Sequence, residues 1–280
     1  MWEECANACK EVIKSGKVLA DDYKYLFCGS NHNYVACSTY GADGEILWSV
    51  PQNDLTMQSY GGTTYLSGGA YSASISDEMM QRLGVGAAGW QGPHMRPETV
   101  NNFTPNDERA LFYGDIFQND LNNIAAWGDP GTSGYMCIKY VYTNEDDYYN
   151  ESGTSGSSTI FNSADFPLFR LADIYLMLAE CELNGVACDG LEYYNKVRTR
   201  AGVDAVGYYS ADDLLAERNR ELYWEGHRRS DLIRFGKYTG ATYNWQWKGG
   251  VQAGTALDSY RNLMPIPPQF VSTLGQNPGY

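Results

Sequence analysis

Apolar residues recur at helical spacing at the start of the chain and again in its last third. One face of the first predicted helix carries six such residues: Trp2, Cys5, Ala6, Cys9, Val12 and Ile13. Ser15 and Gly16 predict the end of this helix, because glycine is favoured just past a helix C-terminus. Residues 171–183 are apolar on most faces, which predicts the most buried helix of the chain.

Two further helices are predicted downstream of this apolar one. The first spans about residues 190–201, and the second begins at Asp212 or Asp213 and ends at Glu225. Ser210 or Asp212 can cap the second helix by accepting a backbone hydrogen bond. Short connections predict antiparallel neighbours, as in helical-hairpin repeats, although the spacing alone does not establish a repeat.

The stretch between the two helical ends has a different character. Residues 45–50 form an apolar run bounded by Gly44 and Pro51, which predicts a short strand. Residues 51–165 are dense in Gly, Asn, Ser and Tyr, and these residue types indicate long loops. Binding surfaces are commonly built from loops of this kind on a rigid scaffold.

Composition indicates a folded, tyrosine-rich, acidic protein. The 280 residues include 14% aromatic and 19% charged residues, and the formal net charge is −14. So acidic a chain lacks the clustered Lys and Arg that a nucleic-acid surface needs, which argues against a nucleic-acid partner. No apolar run in the sequence approaches the roughly 20 residues of a membrane span.

One segment near the C-terminus is balanced in charge. Residues 196–237 hold nine Lys and Arg residues against seven Asp and Glu, whereas the rest of the chain is strongly acidic. Opposite charges alternate along this segment at spacings that allow ion pairs on helices. We therefore predict an ion-pair network that holds the fold together.

Cysteine and histidine, the usual carriers of metal and nucleophilic chemistry, follow no recognised motif. The seven cysteines form no C-x-x-C pair and no Cys/His cluster at zinc spacing, and the three histidines lie in no catalytic motif. A glycine-rich phosphate loop and a calcium loop are missing from the sequence as well. The sequence therefore predicts no metal site, no cofactor and no catalytic residue.

Four stretches near the C-terminus form a distinctive series. They read FPLFRLADIYLMLAECE at 166–182, NKVRTRAG at 195–202, ERNRELYWEGHRRSDLIRFGK at 217–237, and LMPIP at 263–267 followed by QNPGY at 276–280. In this order and spacing they resemble the C-terminal part of the SusD/RagB family of nutrient-binding outer-membrane lipoproteins. The resemblance is tight after residue 165 and extends more loosely over nearly the whole chain.

The resemblance implies a mainly α fold, in which tetratricopeptide-like helical hairpins support long loops and a few short strands. Residues 1–280 would be one SusD-like domain truncated at its N-terminus. Its parts would be a helical repeat portion with a short strand in 1–50, a loop-rich ligand-facing portion in 51–165 and a helical signature portion in 166–280. The signal peptide and the lipid-modified cysteine of the family would lie in the missing part, so the lipid anchor is expected to be absent from this chain.

The resemblance also implies a function. Proteins of the SusD/RagB family sit on the outward-facing surface of the cell outer membrane, cap a TonB-dependent transporter and bind glycan or another nutrient. This chain would then be a non-catalytic protein that captures an oligo- or polysaccharide and delivers it to a SusC-like transporter. Its negative charge favours neutral glycans over polyanionic ones, which it would repel.

A glycan site needs aromatic rings for the apolar face of a sugar and polar side chains for its hydroxyls. The loop-rich portion offers candidates of both kinds. The predicted ligand-binding residues are Trp90, Trp127, Tyr60, Tyr65, Tyr71, Asn53 and Asp54. Trp48 lies in the apolar strand instead and is predicted to be buried.

Two other functions remain open at the level of sequence. Helical-hairpin arrays often bind peptides, so the chain could be a protein-interaction module. The aromatic residues and 34 acidic residues would also suit a glycoside hydrolase, which needs two carboxylates about 5 to 10 Å apart. The sequence identifies no such pair, and a non-catalytic binding protein is the favoured interpretation.

Overall fold

A computed structural model of the chain describes residues 1–35, 44–71, 75–87, 89–113, 135–144 and 160–280. Within these ranges the fold is mainly helical with a few short strands, as predicted. The α-helices are α1 (Trp2–Lys14), α2 (Gly62–Leu66), α3 (Asp77–Leu83), α4 (Pro97–Val100), α5 (Leu171–Leu183), α6 (Gly190–Arg200), α7 (Ala211–Leu222), α8 (Arg228–Arg234) and α9 (Pro268–Leu274). Short 3₁₀ turns lie at Tyr23–Phe27, Asn31–Tyr34, Lys248–Gly250 and Ser259–Asn262.

Four short strands form two small antiparallel sheets in the described part of the chain. Strand β1 (Ile46–Val50) pairs with β4 (Phe166–Arg170), and β2 (Phe112–Tyr113) pairs with β3 (Met136–Cys137). The β1–β4 ladder changes register on both sides of Trp48. Such irregularities bend a strand and turn its side chains away from strict alternation.

Helix α5 is the centre of the helical packing. It contacts α1, α6 and α7, and the α1 contact is a small apolar cluster that includes Ala6, Cys9, Leu178 and Cys181. The predictions for α1 and α5 are confirmed, since α1 ends at Lys14 and α5 spans Leu171–Leu183 with most of its residues buried. The tetratricopeptide-like character of these pairs stays a prediction.

Helix α7 ends three residues earlier than predicted. Trp224 has a positive φ of 63°, a conformation that a helix cannot contain, and α7 stops at Leu222. This break lets Glu225 leave the helical path and reach Arg170 and Lys139. The pattern of apolar residues does not predict this helix end, because the apolar face continues and the break instead places the buried charge of Glu225.

The described residues cluster into two compact units, Met1–Glu225 and Gly226–Tyr280. In the second unit, the C-terminal QNPGY motif folds back on residues just before it. The Gln276 side chain accepts a hydrogen bond from the Ile266 amide at 2.7 Å, and the Asn277 side chain donates one to the Met264 carbonyl at 2.6 Å. The three-part division of residues 1–280 that the resemblance implies stays a prediction.

Candidate functional site

Three aromatic rings meet at the surface of the loop-rich portion. The Tyr60 ring lies 5.4 Å from the Trp90 ring, edge to face, and 5.2 Å from the Phe161 ring. Tyr60 is 60% exposed, Trp90 is 43% exposed and Phe161 is half-buried. We call these three residues the aromatic cluster. Their open rings provide the apolar surface that the face of a sugar requires.

Tyr65 borders the aromatic cluster and is also exposed, at 46%. It lies on α2, and its ring is 3.8 Å from the position that a Cβ would take at Gly92, two residues after Trp90. Three of the predicted tyrosine and tryptophan residues thus lie at one surface. Phe161 was not predicted, because it lies about 100 residues after Tyr60 and no local pattern links the two.

Glycines position Trp90 by allowing two loops to pack backbone against backbone. The Gly92 amide donates a 2.7 Å hydrogen bond to the Gly69 carbonyl, and a Cβ at Gly92 would lie only 2.5 Å from that oxygen. A Cβ at Gly89 would collide with the Tyr71 carbonyl. Close backbone approach is a common reason for glycine in ordered loops. The Trp90 backbone is therefore fixed, while its ring stays open to solvent.

Asn53 and Asp54 shape the turn that leads to Tyr60. The Asn53 side-chain oxygen accepts hydrogen bonds from the amides of Leu55 and Thr56, at 3.0 and 2.8 Å. The Asp54 carboxylate accepts a 2.7 Å bond from the Ser163 hydroxyl, two residues after Phe161. These contacts hold the turn beside the aromatic cluster. That the two side chains also bind ligand hydroxyls stays a prediction.

One of the predicted ligand-binding residues does not join this surface. Tyr71 is fully buried, and its hydroxyl donates a 2.6 Å hydrogen bond to the Tyr140 carbonyl. The expectation that Tyr71 contacts ligand is therefore wrong, because no face of its ring is accessible. Alternation with Gly and Ser looked the same for Tyr71 as for Tyr60 and Tyr65. Trp127 lies outside the described residues.

The prediction that Trp48 is buried is also wrong. Its side chain is 59% exposed and stacks on the Phe169 ring, with 5.9 Å between the centroids and 26° between the planes. Strict alternation along β1 would place Trp48 on the same side as the buried Ile46. The register shifts around Trp48 break that alternation, and Ser49 is buried instead.

The described part of the chain contains a dense buried ion-pair network, and the charge-balanced segment contributes Glu217, Glu221 and Glu225 to it, as predicted. Glu221 is buried and pairs with three arginines, Arg109, Arg170 and Arg200, at 3.2, 2.9 and 2.6 Å. Burial by itself would raise the pKa of Glu221, but these guanidinium groups hold that pKa well below its ordinary value. Glu221 therefore stays ionised inside the protein.

The same network includes an unusual lysine. Lys139 is fully buried and lies 2.7 Å from Glu225, whose other oxygen pairs with Arg170. Burial lowers the pKa of Lys139 to about 8, although Glu225 counteracts part of that effect. A lysine with a lowered pKa can act as a nucleophile when a substrate reaches it. Lys139 has no solvent access, so its role is structural.

No three or more His, Cys, Asp and Glu side chains in the described part of the chain are arranged to hold a metal ion. Likewise, no described helix is long and apolar enough to cross a membrane.

A family profile and two curated proteins that are similar to this chain all point to one family. The SusD family profile matches residues 111–280. The starch-binding protein SusD of Bacteroides thetaiotaomicron is 29% identical over 100% of this chain and 56% of its own length. SusD-like protein P25 of Formosa agariphila is 28% identical over 96% of this chain and 52% of its own length. The chain thus spans about half the length of these two relatives.

Solved structures share the same fold. Surface glycan-binding protein A from Bacteroides thetaiotaomicron, in complex with laminarihexaose, superposes with a TM-score of 0.68 at 22% identity. The match covers 99% of this chain and 60% of that protein.

Proposed function

Because the chain belongs to the SusD family, we propose that it binds a glycan at the aromatic cluster and does not cleave it. The observation that carries this proposal is the exposed arrangement of Tyr60, Trp90 and Phe161, with Tyr65 beside it. Aromatic rings pack against the C–H face of a sugar, while hydroxyl and amide groups nearby bind its rim. Asn53 and Asp54 are the nearest polar candidates.

The names of similar proteins support a carbohydrate as the ligand class. They include a starch-binding protein, a glycan-binding protein in complex with laminarihexaose and a structure with a xylogluco-oligosaccharide. These glycans differ in linkage and branching. We therefore assign a class of ligand to this chain and leave its identity to the binding measurement.

A hydrolytic function receives no comparable support. Catalytic carboxylates with tuned pKa values need contact with substrate. The carboxylates with depressed pKa values in the ion-pair network, Glu217, Glu221 and Glu225, are buried and occupied by arginine or lysine. We infer a binding protein without catalysis.

We further infer that the chain works at the outward-facing surface of the outer membrane, where it would deliver glycan to a SusC-like TonB-dependent transporter. Membership of the SusD family supports this placement.

The test is affinity electrophoresis in gels containing amylopectin, laminarin, xyloglucan, a uronic polysaccharide or a sulfated one, followed by calorimetry. We expect at least one neutral polysaccharide to retard the protein. Trp90→Ala and Tyr60→Ala should each weaken binding by about tenfold, because a lost ring contact costs on the order of 1–2 kcal/mol.

Tyr208→Ala is the matched control, since Tyr208 is a highly exposed tyrosine that is not part of the aromatic cluster. Its affinity should equal that of the unmodified protein. Unchanged binding in both cluster variants would remove the aromatic cluster as the site, and release of reducing sugar would contradict a non-catalytic function.

A further inference from the structure

A second pair of exposed aromatic rings lies on the β1–β4 sheet. Trp48 and Phe169 face each other across the two strands, are stacked, and are 59% and 48% exposed. Val50, two residues after Trp48 in the same strand, is also exposed. We call Trp48 and Phe169 the sheet pair. Single exposed apolar side chains are common, but exposed apolar side chains that lie in contact, as these two rings do, can mark an interaction site.

The sheet pair is held on a rigid base. Arg170, directly after Phe169, is buried and pairs with Glu45, directly before β1, at 2.6 Å. The Leu171 amide donates a 3.0 Å hydrogen bond to the Glu45 carbonyl. Both strands are therefore anchored at the level of the two rings. A preorganised surface loses little conformational entropy when it binds a ligand.

The same two chain segments carry the sheet pair and the aromatic cluster. After β1 the chain continues to Tyr60, and before β4 it passes through Phe161. Between the two sites, Asp165 accepts hydrogen bonds from the Ser49 hydroxyl at 2.9 Å and the Gln52 amide at 3.0 Å. These bonds fix the spacing of the two sites.

The separation of the two sites has an upper limit set by the chain. Phe169 follows Phe161 by eight residue steps, and a fully extended strand spans about 26 Å over that distance. The two aromatic surfaces are thus close enough for one extended ligand to contact both.

The size of the sheet pair suits a sugar chain better than a protein. A stable protein interface uses about 20–30 residues on each side. The exposed apolar residues of this sheet are Trp48, Val50 and Phe169. Two rings give about the apolar area that a small number of sugar units can cover.

We propose that the sheet pair is a second glycan-binding surface, and that one polysaccharide chain binds the sheet pair and the aromatic cluster at the same time. This inference rests on the proposed function of the aromatic cluster. Linking two weak contacts through one ligand makes the second binding event intramolecular and increases the overall affinity. A short oligosaccharide reaches one surface only and gains nothing from the other.

The experiment compares polymer and oligomer binding in the same variants. The probes are laminarin with laminaritriose, amylopectin with maltotriose, and xyloglucan with its single repeat oligosaccharide. Trp48→Ala and Phe169→Ala should weaken binding of the retarding polymer by about tenfold, and should leave binding of its short oligosaccharide at the aromatic cluster within twofold. Trp90→Ala should weaken both.

Two controls separate binding from folding. Trp48→Phe keeps a ring and should retain most of the polymer affinity. Phe270→Ala removes a phenylalanine of similar exposure from the Gly226–Tyr280 unit and should change nothing. Thermal unfolding of each variant is measured in parallel.

Each result has a definite meaning. If Trp48→Ala and Phe169→Ala bind polymer normally while Trp90→Ala does not, the sheet pair is not a glycan surface and the proposed function stands. If they weaken polymer and oligosaccharide equally, there is one continuous site and the inference of two surfaces is wrong. If no probe binds, or if no aromatic substitution matters, the proposed function fails and the second surface fails with it.

Discussion

Glu221 shows how much of this molecule depends on a single side chain. Its two carboxylate oxygens pair with Arg109, Arg170 and Arg200, which come from three distant parts of the chain. These four side chains are at most 5% exposed, so their charges are compensated by one another and by neighbouring charged groups of the network. Removing one partner from a buried ion pair leaves an uncompensated charge, which costs about 3–5 kcal/mol.

We therefore expect Glu221→Gln to lower the free energy of unfolding by about 3–5 kcal/mol, measured by urea denaturation. Glu192→Gln is the matched control, because Glu192 forms an exposed pair with Lys196 at 2.7 Å. Exposed pairs of this kind contribute about 0–1 kcal/mol. Equal effects in the two variants would show that the buried network does not hold the fold.

For single residues, the sequence predicts ion pairing better than it predicts which aromatic side chains are exposed. The balanced segment predicted an ion-pair network, and Glu221 and Arg200 of that segment do pair, whereas the partners Arg109 and Arg170 lie outside it and were not predicted. The exposure of Trp48 and the burial of Tyr71 were not predictable, since each depends on a register shift or a loop contact made with residues far along the chain. The buried Tyr71 has Gly and Ser neighbours much like those of the exposed Tyr60 and Tyr65, so local sequence does not distinguish them.

Helix α7 is fixed at its N-terminus by side-chain hydrogen bonds. Ser210 caps it, accepting a 3.2 Å hydrogen bond from the Asp213 amide, and the Asp213 carboxylate accepts a 2.9 Å bond from the Ser210 amide. The Ser210 hydroxyl and amide also hold the pKa of Asp213 below its ordinary value. This reciprocal arrangement is a capping box, and the sequence predicted Ser210 as one of two candidate caps.

Loss of this cap should weaken α7 measurably. We expect Ser210→Ala to lower the free energy of unfolding by about 1 kcal/mol, because the Asp213 amide loses the side-chain acceptor that caps the helix. Ser272→Ala is the control, since Ser272 is exposed within α9 and alanine is the better helix former there. A destabilisation by Ser272→Ala as large as that by Ser210→Ala would contradict a specific capping effect.

The start of α7 and the full length of α5 could be read from the sequence, whereas the end of α7 could not. Caps and apolar faces are local signals carried by neighbouring residues. The break at Trp224 serves a partner outside the helix, because it delivers Glu225 to Arg170 and Lys139. Such a cause becomes visible only when the packed elements are seen together.

Over the whole molecule, the arginines and lysines are largely engaged by partners within the protein. In the Met1–Glu225 unit, Arg109, Arg170 and Lys139 are buried in the network. In the Gly226–Tyr280 unit, Arg234 pairs with Asp231 at 2.8 Å and Arg229 donates to the Arg261 and Asn262 carbonyls. With a net charge of −14, the electrostatic potential around the protein is therefore negative.

This charge distribution makes a prediction about ligand charge. A neutral polysaccharide that retards the protein should bind more tightly than its chemically sulfated form at low salt, because the sulfate groups are repelled. The repulsive part of that difference should shrink as salt rises, since the Debye length falls from about 10 Å at 0.1 M to about 3 Å at 1 M. Affinity electrophoresis of the same protein across this salt range measures both quantities. Tighter binding of the sulfated form at low salt would require a cationic surface at the site. It would contradict the division in which the arginines stabilise the fold and the aromatic rings bind the ligand.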